Sequence, residues 1–256
     1  KPDIIILAAA KVGGIKYNML NKSSFLYENL MIQNNVIFLA SQLNVEKLVF
    51  IGSSCIYPKD ASQPIIEEAL LNGPLEETNE GYALAKIAGL KLCKFINEEK
   101  KKEFISVMPS NVFGVNDNFD PENSHVLGAL LRKIYYAKLT GKNNIEIWGS
   151  GKPRREFLYV DDLADAICFL LKNYNSSLPI NIGTSKDISI TELAFKIAKV
   201  LDHKIDIKYN TDMPDGTYLK RLDTKKINNL GWYAKTTLEE GIKKTLDHCL
   251  QKNIFN

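Results

Sequence analysis

Cysteine is scarce and scattered in this chain. Cys55, Cys93, Cys168 and Cys249 stand far apart, and no Cys-x-x-Cys or His-rich cluster joins them. That pattern indicates neither a zinc site nor a disulfide framework, and it fits a reducing, cytoplasmic setting. Long hydrophobic runs are missing too. The first apolar stretch, Ile4 to Ala10, is too short to span a membrane and leads into Lys11-Val12-Gly13-Gly14, not into a small-residue cleavage site. Neither a targeting segment nor a membrane partner is expected. An excess of one charge sign is also lacking: the formal net charge is +3 with both signs mixed throughout, which gives no reason to expect a nucleic-acid partner. The one dense basic run, Glu98 to Lys102, reads as the solvated end of a helix. Finally, no Gly-x-Gly-x-x-Gly or Gly-x-x-Gly-x-x-Gly follows a strand; Gly13-Gly14 follows one but lacks the third glycine. A dinucleotide fold uses that turn to offer backbone N–H groups at a helix start to a pyrophosphate. Either the chain binds no dinucleotide or its first βαβ unit is missing.

What is present reads as α/β. The 256 residues, 45% hydrophobic and 25% charged, suffice for a substantial core. Ile4 to Ala10 reads as a fully buried parallel strand. Helical spacing through Phe25, Leu30, Val36, Ile37, Ala40 and Leu43 leads to a strand at Lys47 to Gly52. A helix over Asn79 to Glu99 and a strand over Phe104 to Met108 continue a doubly wound order. Beyond Gly114 a polar loop precedes a helix at Val126 to Leu139. Strands at Ile145 to Trp148, Phe157 to Val160 and Pro179 to Ile182 alternate with helices from Asp161 and over Ser189 to Leu201. The expected fold is a Rossmann-like doubly wound parallel sheet lacking its first βαβ unit, with a smaller α/β substrate-binding lobe. Residues 1–114 form the partial dinucleotide-binding part and 115–256 mainly the lobe, with segments around 155–185 returning to the sheet.

The chemistry is concentrated in KLVFIGSSCIY, Lys47 to Tyr57, and in YALAK, Tyr82 to Lys86. The first is an apolar strand ending in Ser53, Ser54 and Cys55, at the carboxyl end where parallel sheets place their chemistry. In the second, Tyr82 and Lys86 are four residues apart and share one helix face. With 11 Tyr and 29 Lys in the chain, chance alone supplies about one Tyr-x-x-x-Lys. The strand, Ser-rich end and crossover before it make this a Ser-Tyr-Lys reductase layout. Read alone, Cys55 also fits a small buried hydrophobe, and His125 also fits the opening of a helix that Ser124 would cap.

LAAAKVGGI, GSSCIYP, NEGYALAKIAG, PSNVFG, DNFDPENSHV, WGSGKPRREF, the VDDLA that follows, and PDG with LGW near the end together resemble the GDP-L-fucose synthases. These are extended short-chain dehydrogenase/reductases. The resemblance runs from residue 3 almost to the end and implies an amino-terminal segment of roughly fifty to sixty further residues, the size of a βαβ opening with its glycine-rich turn. It implies a GDP-4-keto-6-deoxy-D-mannose substrate, epimerised at C3 and C5 and reduced at C4 with NADPH. Cys55 and His125 match the family's base and acid. Ser53 and Tyr82 would hold the C4 oxygen, and Lys86 would stabilise the tyrosinate and bind the nicotinamide ribose. Ile51, Gly52, Ser53 and Ser54, then Pro109, Ser110, Asn111 and Val112, with Tyr82, Lys86 and His125, match cofactor contacts. Lys133, Trp148, Arg155 and Asp215 match substrate contacts.

The related sugar-nucleotide 4,6-dehydratases carry carboxylates at the places of Ser54 and Cys55, and a plain 4-epimerase needs no Cys/His pair. A reductase-only enzyme on another GDP-4-keto-6-deoxy sugar, hexose or heptose, remains an alternative, as does an inactive fragment with poor cofactor affinity and an exposed sheet edge. With only 4 Arg in the chain, Arg154 and Arg221 also stand out, for phosphate contacts or for salt bridges. The resemblance further implies a homodimer through the helices near 24–43 and 80–99, with Leu30, Ile37, Leu90 and Phe95 as apolar contacts. Packing within one subunit explains the same pattern.

Overall fold

Residues 47–51 and 103–109 are largely apolar, and successive side chains of an extended chain leave opposite faces, so both faces need cover. In the computed structural model, which describes residues 2–43, 45–120 and 123–255, helices supply that cover on two sides of a parallel sheet. Pro121 and Glu122, inside DNFDPENSHV, lie outside the described residues.

The elements run β1 (Ile4–Leu7), α1 (Ile15–Leu20), α2 (Lys22–Gln42), β2 (Lys47–Ile51), α3 (Glu80–Lys100), β3 (Glu103–Pro109) and β4 (Asn111–Phe113). They continue α4 (Val126–Leu139), β5 (Asn144–Trp148), β6 (Arg154–Tyr159), α5 (Val160–Asn173), β7 (Ile180–Ile182), β8 (Asp187–Ser189) and α6 (Ile190–Val200). Last come β9 (Asp206–Asn210), β10 (Leu219–Lys220), α7 (Lys225–Asn229) and α8 (Leu238–Gln251). The main sheet has the order β1-β2-β3-β7, every pair parallel. A second sheet runs β10-β6-β4, with β8 antiparallel to β6, and β5 pairs with β9.

Period-two alternation divides the core. Leu48, Phe50, Phe104 and Met108 pack with Ile37, Ile87 and Leu90 of α2 and α3 on one side. Val49, Ile105 and Val107 pack with Leu163, Ile167 and Leu170 of α5 on the other. A third cluster joins α4, α6 and α8 through Leu131, Ile134, Leu193, Ile197 and Ile242.

Three expectations need correction. β1 is not fully buried: Ile4 and Ile6 are 48% and 47% exposed. β1 is an edge strand paired with β2, and the cover from α5 over Val49 does not extend to Ile6, its neighbour in register. Ile37 and Leu90 are core residues, because α2 and α3 pack on the sheet and on each other. The apolar side chains those helices expose are instead Tyr27, Met31, Phe38, Leu39, Leu84 and Phe95. Ser124 caps nothing. His125 is the N-cap of α4, and the buried Ser124 Oγ has no partner among the described residues.

Candidate active site

Backbone pairing fixes the end of β2. Gly52 N–H donates to Val107 O at 2.8 Å, and a side chain at Gly52 would run into the Met108 thioether, so the two strand ends stay in close register. Ser53 is extended and caps the single helical turn Ser54–Ile56, its Oγ accepting from Cys55 N–H at 3.2 Å. Ser54 is buried by that turn, whereas Ser53 and Cys55 stay half-buried at its start.

α3 brings Tyr82 and Lys86 to this turn. Lys86 is 3% exposed; its Nζ donates to Ile51 O at 2.8 Å and lies 4.9 Å from the Phe50 ring centroid and 5.7 Å from that of Tyr82. Burial lowers its pKa from the ordinary 10.5 to about 8. Tyr82 packs edge-on against Phe25. Burial pushes its hydroxyl well above the usual tyrosine range, the charge of Cys55 adds to this, and a hydrogen bond to Ser53 opposes it. In the structure as it stands, burial favours the protonated phenol of Tyr82.

Cys55 is no buried hydrophobe. Asn79 Nδ2 donates to its Sγ at 3.2 Å, Lys220 Nζ reaches it at 3.9 Å, and the Arg155 guanidinium lies within its electrostatic reach. Burial lowers the pKa of Arg155, opposed in order by Cys55, Glu76 and Asp215. Glu76 is buried and accepts from Thr217 Oγ1 at 3.1 Å. Asp215 accepts from Ser150 N–H at 2.7 Å and from Ser150 Oγ at 2.8 Å, tying its loop to the turn after β5. Gly149, at φ +73°, leaves room for that carboxylate where a Cβ would collide with it.

Solvent reaches His125, yet so much protein surrounds it that desolvation holds its imidazole below the ordinary range, with the Asp117 charge opposing. Asp117 is raised by burial, opposed first by the Asn118 N–H at 2.7 Å and then by His125. The charge that acts on His125 is thus Asp117's, and the cations that act on Cys55 come from Lys220 and Arg155. Lys133 is exposed and donates to Glu146 O at 2.7 Å, beside Trp148 on β5, which is 42% exposed. Pro109 to Val112 continue from β3 into β4. Ser110 N–H donates to Ile182 O at 2.9 Å and Asn111 Nδ2 to Glu156 O at 2.7 Å, while Ser110 Oγ is buried without a partner.

Arg154 and Arg221 both pair with Asp187, so the salt-bridge reading of these two holds. Asn79, Lys220, Glu76 and Asp117 were not singled out from sequence. Asn79 reads there only as the first residue of a helix, and Lys220 meets the thiol across 165 residues of chain, a separation that leaves no local signal. The grooves around α6 and α8, lined among others by Lys196, Val200 and Glu239, contain none of the expected site residues. Among the described residues no group of three or more His, Cys, Asp or Glu is placed to hold a metal ion, and no helix is long and apolar enough to cross a membrane.

Comparison with known proteins places this geometry. Residues 1–183 match the NAD dependent epimerase/dehydratase family. The GDP-L-fucose synthase of Sinorhizobium fredii is 50% identical over 96% of this chain and 79% of that protein. A GDP-6-OMe-4-keto-L-xylo-heptose reductase from C. jejuni superposes with a TM-score of 0.92 at 35% identity, over 98% of this chain and 83% of the other. A GDP-L-fucose synthetase from Naegleria fowleri bound to NADP superposes with a TM-score of 0.90 at 34% identity, over 99% and 78%.

Proposed function

The chain belongs to the NAD dependent epimerase/dehydratase family, and we propose that it epimerises C3 and C5 of GDP-4-keto-6-deoxy-D-mannose and reduces C4 with NADPH to give GDP-L-fucose. Hydrogens on C3 and C5 are alpha to the C4 carbonyl, so removing one places the charge of the resulting enolate on the C4 oxygen. In this reading Cys55 takes the proton and His125 returns one to the opposite face. Ser53 and Tyr82 hydrogen-bond the C4 oxygen throughout. NADPH, when bound, supplies the hydride for C4. Tyr82 gives the oxygen its proton, a role suited to a phenol that burial keeps protonated. Lys86 orients this end of α3 through Ile51 O and holds positive charge beside Tyr82.

The cofactor is NADP(H), and the residues present fit its nicotinamide half. Ile51 to Ser54 and Pro109 to Val112 end adjacent strands, and Ser110 Oγ there is a buried hydroxyl without a protein partner. Lys86, Tyr82 and His125 complete the set that would hold it. On the substrate side Arg155 suits the diphosphate, Trp148 offers an exposed ring for stacking, and Lys133 and Asp215 flank them. The same reading assigns 1–114, with segments around 155–185, to the cofactor and the remainder mainly to the sugar nucleotide. It also includes a cytoplasmic location, where the four free thiols would persist, and a homodimer through α2 and α3.

One observation carries the epimerase half: the reactive strand end holds a half-buried thiol contacted by Asn79 and Lys220, beside Ser53 and Tyr82. Turnover of GDP-4-keto-6-deoxy-D-mannose with NADPH in deuterated water, read by NMR, tests it. Deuterium at C3 and C5 of a reduced product supports the reading. A reduced, undeuterated product would leave a C4 reductase acting on another keto sugar, such as a heptose.

A further inference from the structure

Asn79 is the N-cap of α3, a position where asparagine ordinarily accepts from the exposed N–H groups of the first turn. Here it makes no such bond. Its Nδ2 is turned instead to Cys55 Sγ at 3.2 Å, while its Oδ1 is buried with no partner. A good cap has been withdrawn from capping and an acceptor left unpaired, both unfavourable for the fold. What the side chain gains from this orientation is the sulfur contact. The preceding turn, Glu77–Asn79, runs directly into α3, so the amide is held on the element that also carries Tyr82.

We propose that Asn79 is a positioning residue for epimerisation, its amide fixing the Cys55 sulfur towards the sugar and donating to it as it accepts the proton-abstracting role. This rests on the reading of Cys55 as the base. An amide N–H hydrogen-bonds a thiolate more strongly than a thiol, so it favours the reactive form while adding no charge of its own. The charged or titratable groups facing the thiol from packed elements are Lys220 on β10, Arg155 on β6 and Tyr82 on α3. Each faces Cys55 without fixing its direction as a short directional bond does. Asn79 therefore adds orientation to a field the others supply.

The test compares Asn79→Leu, which removes the donor at similar size, with Asn79→Ser, which restores a capping hydroxyl without the reach to the sulfur. Both are made in the full chain in a Cys168→Ala background, since Cys168 is the exposed thiol and Cys93 and Cys249 are buried. Two readouts are taken: solvent deuterium incorporation at C3 and C5, and the pH profile of Cys55 alkylation by iodoacetamide without substrate. Both variants are expected to slow deuterium incorporation about tenfold or more and to move the alkylation profile to higher pH, even though Asn79→Ser offers α3 a side-chain cap. Unchanged exchange and an unchanged alkylation profile in Asn79→Leu would overturn the proposal. Cys55→Ser separates the premise: if that variant exchanges like the parent, Cys55 is not the base, whereas loss of exchange in Cys55→Ser with none in Asn79→Leu refutes Asn79 alone.

Discussion

Replacing Lys86 by methionine separates what this residue does for the reaction from what it does to the fold. The ammonium is 3% exposed, and its pKa lies at about 8 against an ordinary 10.5. At about 1.4 kcal/mol per pH unit, that gap is a burial penalty of about 3 kcal/mol on the charged form. Below pH 8 the lysine is protonated both folded and unfolded, and the folded state carries the whole penalty. Between about 8 and 10.5 the unfolded chain binds more protons, so stability rises with pH and the penalty disappears. Methionine fills similar space without charge but leaves Ile51 O without its donor, a loss of about 1–2 kcal/mol at every pH. Lys86→Met is thus expected to be more stable than the parent by about 1–2 kcal/mol at pH 7. By pH 10 most of that advantage is gone or reversed, while C4 reduction is impaired at both. Urea unfolding at the two pH values measures this, because charges elsewhere cancel between parent and variant. A stability difference that is the same at pH 7 and pH 10 would refute the assignment of the penalty to the buried ammonium.

Cys55→Ser should lower deuterium incorporation at C3 and C5 by about a hundredfold or more, as loss of a general base does, with NMR of the product as the check. Gly81→Ala should destabilise the chain. A Cβ there collides with the Lys22 backbone carbonyl, and overpacking of about 1–3 kcal/mol exceeds what helix propensity returns. A fall of several degrees in Tm is expected; a rise would show that α2 and α3 separate freely. Phe95→Glu, on the exposed face of α3, should convert a dimer to monomers in sedimentation while leaving the far-UV spectrum unchanged. A monomeric parent would remove the dimer from the reading.

Short apolar runs made β2 and β3 legible, and the long helix between them was placed within a residue at each end. Ser53, Cys55, Tyr82 and Lys86 were equally legible because two short motifs, each local, place them at one strand end. Three of the short strands were not. β4, β8 and β10 have two or three residues each, too few for a period, and owe their strand form to pairing with β6. The partners of the thiol were hidden for a related reason. Asn79 reads in the sequence only as the start of a helix, and Lys220 carries no local signal, since its place depends on β10 pairing with β6. Composition alone read β1 as fully buried, because it reports how apolar a strand is and not how many neighbours flank it; the expected exposed sheet edge agrees with the exposure of Ile4 and Ile6.

The thiol's surroundings also have an order in time. Ser53, Cys55, Asn79, Tyr82 and Lys86 all leave the ribosome within a short stretch, but Lys220 follows Cys55 by 165 residues, and the same late segment pins the loop after the thiol through Gln63 and Ile65. At ordinary elongation speeds that is a delay of roughly ten to thirty seconds. During it the growing chain holds a Ser-Tyr-Lys cluster whose cysteine lacks its lysine and whose flanking loop is unpinned. The thiol is therefore the last member of its site to gain its lysine, and the pairing of β10 with β6 brings it.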